Sequence, residues 1–475
     1  MRTASPQADW RKIFKQRRNH IRAKMSGGVI LWLGHSPQPR NYAANAYPFR
    51  QNSHFLYYTG LSEPDLVLLS FPEPDHDVLF ARPADINDVV WTGPRRSLEE
   101  LAEDAGINRV HDIAELEKII GGLRRKKRPI HYLPPYQCSS ALRIAGLLRM
   151  KIDETGRDAS AELMKNVAEQ RSVKSVEEIA EIEDALAVTD RMHRACMSAL
   201  RPGLRESDLA GILQGIALSD DRAQAFDPIV TIHGEVLHNH SYDHVLEPGG
   251  LLLNDSGAES PMGYASDITR TYPVSGKFTQ QQAEIYQIVL DTQIAAIAMI
   301  RPGISFREVH LGACRVMAEG LKSIGLMKGD PSDAVKAGAH ALFMPHGIGH
   351  MLGLDVHDME DLGNIVGYKK NQKRSGQFGL NYLRLNRRLK SGFVLTVEPG
   401  VYFIPALIQQ WRKERKHEKF LNYDRITDRL SFGGIRIEDD VMVAASGAKI
   451  LGPGIPKTLK EIESACAEKS SVSLM

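Results

Sequence analysis

Residues 251–271 read LLLNDSGAESPMGYASDITRT, and the fold turns on this stretch. An apolar run, Leu251 to Leu253, leads into Asp255, and a second strand-like run opens at Asp267. Between them Pro261 and Gly263 supply turn chemistry, which predicts a hairpin around Glu259 to Gly263 whose arms present Asp255 and Asp267 side by side. Strands keep carboxylates off their apolar faces, because a buried carboxylate loses its hydration unless a cation or hydrogen-bond donors replace it.

Three further segments repeat the anomaly: MPHGIGHMLGLDVHD (344–358), FVLTVEPGVYF (393–403) and GGIRIEDDVMV (433–443). Alternation groups Val394, Thr396 and Glu398 on one face of the second, after which Pro399-Gly400 turns the chain. In the third it sets Arg436, Glu438 and Asp440 opposite Ile435 and Ile437. Any one of these carboxylates alone reads as an ordinary strand-end group in a surface ion pair. Asp255, Asp267, Glu398 and Glu438 together ask for a common positive partner. Several carboxylates with one or two histidines suit hard or borderline divalent ions, and bridging carboxylates favour two ions about 3.5 Å apart. No CxxC pair or HExxH helix competes with that expectation.

In their order and spacing these segments resemble the successive motifs of the proline-specific metallopeptidases. These are the Xaa-Pro aminopeptidases (aminopeptidase P) and Xaa-Pro dipeptidases (prolidases), in the pita-bread group with methionine aminopeptidase and creatinase. The resemblance runs over about residues 176–465. Methionine aminopeptidase lacks a large N-terminal domain, and creatinase lacks the metal ligands. The resemblance implies an α/β (α+β) protein with an N-terminal creatinase-like α/β domain (1–172) and a C-terminal pseudo-symmetric pita-bread domain (173–475). It implies two divalent ions, usually Mn2+ with Zn2+ and Co2+ as alternatives, held by Asp255, Asp267, His350, Glu398 and Glu438.

It further implies that His238, His346 and His357 line the site without binding metal. Each alone would read as a structural histidine. His238 lies in GEVLHNHSYDH (234–244), where His240 and His244 compete, and the family spacing to Asp255 favours His238. Two cations would acidify a shared water to attack the scissile carbonyl. His357 and His238 are candidate donors to the oxyanion. Glu398 is a candidate carrier of protons to the leaving amine. Arg436 is expected to orient carboxylates. His346 and His350 are four residues apart, but Gly347 and Gly349 between them disfavour a regular zinc-binding helix and suggest backbone close to a ligand.

The expected activity is that of a metal-dependent exopeptidase releasing the N-terminal residue of peptides with proline second. A dipeptidase restricted to Xaa-Pro is the alternative, and a non-catalytic binding protein on the same fold is a third, which the intact ligands oppose. Arg384, in GLNYLRLNRRLKSG (379–392), resembles the prolidase arginine that receives a substrate carboxylate. The long insert 407–432 is also prolidase-like, whereas YPFRQNSHFLYYTG (47–60) has the aminopeptidase P form. An ordinary surface-loop arginine is the other reading of Arg384. Trp91, in DVLFARPADINDVVWTG (77–93), is by itself a core or interface aromatic. The resemblance implies that it walls a neighbour's substrate pocket in a homo-oligomer, a dimer or tetramer.

At 475 residues the chain exceeds the size at which single cores stop growing, so two domains are expected. Lys and Arg total 60 against 58 Asp and Glu, which predicts no bulk attraction to nucleic acid. The basic runs 11–22 and 124–128 are expected on solvated helix faces or loops. No apolar run approaches bilayer-spanning length, and no apolar segment follows the basic N-terminus as a secretory signal would require; Asp9 counts against a transit peptide. Four widely spaced cysteines suit free thiols in a reducing, cytoplasmic setting.

Along the chain, residues 10–25 suit an amphipathic helix, GVILWLGHS a buried strand, and the alternating stretch after Tyr47 a sheet. A capping box at Ser175 opens a long helix to about Leu200, and Thr279 opens a second. Each ends at Arg-Pro-Gly (201–203 and 301–303) before another amphipathic segment and metal-bearing strands, the mark of an internal duplication. A capped helix is expected over 455–468.

Overall fold

The computed structural model describes residues 8–369 and 372–468. They divide into two compact units, one of residues 8–171 with 359–366 and the other of 172–358 with 367–468. The N-terminal unit is built on a five-stranded mixed sheet in the order Val110–Asp112, Asp77–Ala81, Val67–Ser70, Val29–Leu33, Ile130–His131. The three central strands are antiparallel and the two outer ones parallel to their neighbours. Val29, Leu31, Val67, Leu69, Val78 and Phe80 alternate onto one face and pack against Leu116, Ile120 and Ile144.

Two expectations for this unit are corrected. The alternating stretch after Tyr47 is not a strand: Ser53–Thr59 is a helix, because the Asn52 side chain caps the amides of His54 and Phe55 and Gly60 ends the helix at φ 69°. Every residue of that helix is buried, so its alternation carries no solvent face. The basic run 11–22 is a solvated face only in part: Arg11 and Lys12 are exposed, whereas Arg17, Arg18 and Arg22 are buried. On the Trp10–Lys24 helix, Arg18 and Arg22 turn inward and clamp Asp77, at 2.8 Å and 2.6 Å, and Arg18 also donates to the Tyr58 carbonyl. Arg17 lies over the Tyr57 ring at 3.9 Å. These arginines are buried because a carboxylate and carbonyls in the interior accept from them.

The larger unit consists of two similar halves. In the first, helices Val176–Ala199 and Glu206–Ser219 accompany an antiparallel sheet of Ile229–Thr231, Leu251–Ser256 and Ile268–Pro273. In the second, helices Gln280–Met299 and Phe306–Ser323 accompany a sheet of Gly447–Ile450, Asp439–Ala444 and Val394–Val397. Capping boxes open both long helices, Ser175 with Glu178 and Thr279 with Gln282. The connecting turns match atom for atom. Gly203 and Gly303 both have φ 89°, and their N–H groups donate over 2.9 Å to the carbonyls of Leu246 and Leu389. Arg205 and Ser305 then form equivalent isolated bridges, to Val245 and Arg388.

The strands that carry the acidic residues follow from register. Leu251–Ser256 pairs with Ile268–Pro273 so that Asp255 faces Thr269, and Asp267, two residues before Thr269, projects from the same face. Gly257 lets the two arms close: a methyl group there would stand 1.8 Å from the Ser266 carbonyl oxygen. In the other half, GGIRIEDDVMV is not one strand as alternation suggested. Gly434–Arg436 pairs with Gly400–Tyr402, and Asp439–Ala444 pairs with Val394–Val397. The register passes through the interruption unshifted, which sets Glu398 opposite Glu438 in the gap. There Pro399 lacks a donor, and the Glu438 N–H turns to the Thr269 carbonyl at 3.0 Å while that of Glu398 turns to Ile348 at 2.9 Å.

Gly257→Ala is therefore expected to destabilise the protein by at least the roughly 1–3 kcal/mol of an overpacked core, since the obstacle is backbone that cannot rotate away. A thermal melt reads this as a lower Tm; an unchanged Tm would mean that the hairpin is not held at this approach.

Candidate metal centre

Both glutamates of the interrupted ladder and both aspartates of the hairpin line one cavity of about 660 Å3. His350 joins them from the 344–352 segment, which is irregular rather than helical and bridges to the Val394–Val397 strand: the Thr396 N–H donates to the His350 carbonyl at 2.9 Å. Gly349 permits this, since a methyl group there would lie 2.0 Å from the Thr396 carbonyl oxygen. Gly349 thus serves strand approach, while Gly347 lines the cavity, with Leu383 Cα 3.0 Å from where a methyl group would stand.

His350 Nδ1 lies 3.0 Å from the Met351 carbonyl, which can only accept, so Nδ1 carries the proton. Its Nε2 lone pair then points at Asp267 Oδ2, 3.3 Å away, and Glu398 Oε1, 3.7 Å away. A lone pair facing carboxylate oxygens is held only when a cation or proton lies between them. Donor atoms of Asp267, His350 and Glu438 all fall within 4.8 Å of one another. One oxygen each of Asp255, Asp267 and Glu438 is buried without a hydrogen-bond partner. Orphaned acceptors beside an imidazole lone pair are the donor set of a divalent cation, and the residues present fit one.

The charge balance points to more than one ion. Arg436 pairs with the set, 2.6 Å from Asp255 Oδ2, and Arg384 shares the cavity wall and acts on Glu398, so four carboxylates still outnumber the guanidinium groups that act on them. Burial, and then repulsion from Asp255, holds the Asp267 carboxyl well above its ordinary range. Burial, then Asp267 and Glu398, does the same to Glu438, and burial raises Glu398 despite His350 and Arg436. Arg436 loses hydration, but Tyr402, Asp255, Glu398 and Glu438 together hold its charge above the ordinary arginine value.

Hydrogen bonds fix the framework around these groups. Arg436 donates through Nε to Thr269 Oγ1 (3.1 Å) and through Nη1 to the Tyr402 hydroxyl (3.2 Å). Thr269 Oγ1 donates to Glu438 Oε2 at 2.6 Å. His346 donates from Nδ1 to the Gly347 carbonyl (2.8 Å), which leaves Nε2 to accept from Tyr402 (3.0 Å). Burial lowers His346 to about 4, so the ring is neutral, and raises Tyr402 to about 12. The Asp267 N–H donates to Asp440 Oδ2 at 3.0 Å. Lys174, ion-paired at 2.7 Å with the buried Asp358, anchors the residue next to His357.

The cavity also brings in His238, His346, His357 and Arg384. The His357 ring stacks on His350 with centroids 3.7 Å apart. Burial lowers His238 below its usual value, with Arg436 acting in the same direction. His240 shares the wall, while His244 is occupied by Glu206 at 3.0 Å. Trp91 lies in the other unit, on the Ile86–Thr92 helix, with 83% of its surface exposed. Tyr402 and Thr269 escaped the sequence reading, and Asp440, grouped there with Glu438, was given no role. The first sits in an apolar strand and looks like core; only the T and D of SDITRT and IEDD, two residues from a ligand, offered a signal for the others.

Comparison with known proteins identifies the family. Residues 180–445 match metallopeptidase family M24, and residues 14–131 match the aminopeptidase P N-terminal domain. Xaa-Pro aminopeptidase of Escherichia coli is 32% identical over 464 residues, covering 95% of this chain and 97% of its own. A probable Xaa-Pro aminopeptidase of Fusarium vanettenii is 33% identical over 420 residues, covering 88% and 87%. A variant of Escherichia coli aminopeptidase P in complex with substrate superposes with a TM-score of 0.79 at 31% identity over 99% of each chain. With both regions matched and nearly the whole length covered, the chain belongs to metallopeptidase family M24, in its Xaa-Pro aminopeptidase branch, and has that branch's N-terminal domain ahead of a pita-bread domain.

Proposed function

We propose that the protein releases the first residue of peptides whose second residue is proline, with two divalent ions held by Asp255, Asp267, His350, Glu398 and Glu438. The observation that carries this is the His350 lone pair turned onto buried, orphaned carboxylates inside a peptide-sized cavity. Bound there, the ions would supply an acidified water and a polarised scissile carbonyl. Four carboxylates and one imidazole suit Mn2+, with Zn2+ and Co2+ as alternatives.

The chain's own groups divide the remaining work. His357 and His238 stand on the wall as donors to the carbonyl oxygen as its charge grows. The proline nitrogen leaves as a secondary amine and must gain a proton, and Glu398, a carboxylate on the cavity wall, is the group to deliver it. Neutral His346, held by Tyr402, completes the wall. Arg436 fixes Asp255 and, through Thr269, Glu438. Arg384 lines the same cavity, which keeps the dipeptidase reading open: a guanidinium there would take the C-terminal carboxylate of a Xaa-Pro dipeptide.

The Ile86–Thr92 helix exposes Ile86, Val90 and Trp91, apolar surface that supports a homo-oligomer, dimer or tetramer, in which Trp91 meets a neighbour's substrate. The domain division is proposed at 172/173. Four free thiols support a cytoplasmic setting, and no helix of the described residues is long and apolar enough to cross a membrane. The near balance of 60 basic and 58 acidic residues supports no nucleic-acid partner.

Removal of the ions should expose the carboxylates' repulsion. Folded-state values of Asp267, Glu398 and Glu438 lie above the unfolded carboxylate value of about 4. As pH climbs past that value the chelated folded protein holds more protons than the unfolded chain, so its stability falls with rising pH. The Tm gained on adding Mn2+ is therefore expected to grow from about pH 5 to about pH 8. A gain independent of pH would contradict the site.

The activity itself is tested with a Xaa-Pro dipeptide and a Xaa-Pro-Yaa-Zaa tetrapeptide, Mn2+-loaded and chelated. Metal-dependent release of Xaa from the tetrapeptide is expected, with Arg384→Ala altering it less than about tenfold, since no charge-assisted bond to substrate is lost. Trp91→Ala should raise KM if the helix meets a neighbour's substrate. Cleavage of the dipeptide alone, lost in Arg384→Ala, would establish the dipeptidase instead.

A further inference from the structure

The second half of the larger unit buries a histidine–cysteine–histidine trio that takes no part in the cavity. His310 and Cys314 lie one turn apart on the Phe306–Ser323 helix, and His340 lies on the short turn Ala339–Leu342. All three are at most 1% exposed. Cys314 Sγ stands 3.6 Å from His310 Nε2, and donor atoms of the three lie within 4.8 Å of one another. Neither ring nitrogen of His340 has a hydrogen-bond partner, although the ring is buried.

Two unsatisfied imidazole nitrogens in the interior have lost hydration and received nothing in exchange. The i, i+4 spacing of His310 and Cys314 puts both donors on one helix face, and His340 approaches that face from another element. We propose that His310, Cys314 and His340 form a further metal site that takes one borderline transition-metal ion of the zinc class. The donor set differs in kind from that of the cavity: one sulfur and two imidazoles select softer ions, where four carboxylates and one imidazole select harder ones.

Burial lowers His310 to about 3 and His340 to about 4, so both rings are neutral, which is the ligating form. Burial raises the Cys314 thiol, outweighing the Arg315 charge that favours the thiolate. The incoming ion displaces the S–H proton to solvent and binds the thiolate, and the positive charge removes the penalty on the anion. Three protein donors fill three positions of a tetrahedron and leave one for water. The ion would tie the Phe306–Ser323 helix to the turn that leads into His346, since the N–H groups of Phe343 and Met344 both donate to the His340 carbonyl. Its position behind that segment makes it a structural clamp, independent of the peptidase assignment.

The test uses the full chain produced in cobalt-containing medium, so that the ion is present as the chain folds, followed by dialysis against a chelator that reaches the open cavity. A retained ion close to one cobalt per chain is expected, with the near-ultraviolet thiolate-to-cobalt charge-transfer band that an oxygen-and-imidazole site cannot give. Cys314→Ser should abolish the band, and His340→Gln should lose the retained ion while keeping the thiol; peptide cleavage after reloading with Mn2+ reports that each variant is folded. Absence of the band from the wild-type protein, or its survival in Cys314→Ser, would overturn the site and leave the trio as neutral packing.

Discussion

Four carboxylates and an imidazole lone pair face one another in the interior, and that arrangement persists only against positive charge. Arg436 supplies one such charge, Arg384 on the same wall acts on Glu398, and the proposed cations would supply the rest. Much of the larger unit can be understood as a frame that forces these groups together. The hairpin register sets Asp255 and Asp267 on one face, the unshifted interruption of the second ladder sets Glu398 opposite Glu438, and the irregular 344–352 segment brings His350 onto both. Isolated, any of these placements would be destabilising; around cations they reinforce one another.

The two halves are joined at the same place. Arg270, from the first half, donates to the carbonyls of Pro456 and Glu438 and pairs with Asp439 at 2.7 Å. Thr271 Oγ1 accepts from the Arg436 N–H and donates to its carbonyl. Such buried, fully hydrogen-bonded pairs add little net stability over apolar packing, but breaking one leaves an uncompensated charge at a cost of about 3–5 kcal/mol. Their contribution is to fix which atoms meet, and the meeting point is the centre where the proposed metal ligands converge. Pseudo-symmetry therefore leaves an asymmetric site: two aspartates come from one half, and two glutamates and the histidine from the other.

Local signals in the sequence carried most of this. The Arg-Pro-Gly turns, the Ser175 and Thr279 capping boxes and carboxylates in strand contexts are all properties of a few neighbouring residues, and the duplication and the acidic positions follow from them. What escaped depends on partners far along the chain. Arg18 and Arg22 looked like solvated charges because Asp77 lies more than fifty residues away. Ser53–Thr59 looked like a strand because its burial on all sides hid the helical period. Tyr402 looked like core because nothing near it in sequence announces Arg436 or His346. The break at Glu438 was hidden because alternation continues through it, and only the change of strand partner exposes it.

The central claim, that this carboxylate set exists to hold two cations, is tested most directly by anomalous diffraction at the manganese edge from crystals of the Mn2+-loaded protein. Two peaks about 3.5 Å apart are expected among Asp255, Asp267, His350, Glu398 and Glu438, with His350 Nε2 in contact with one of them. No peak there, with ions elsewhere and the four carboxylates still facing one another, would contradict the account.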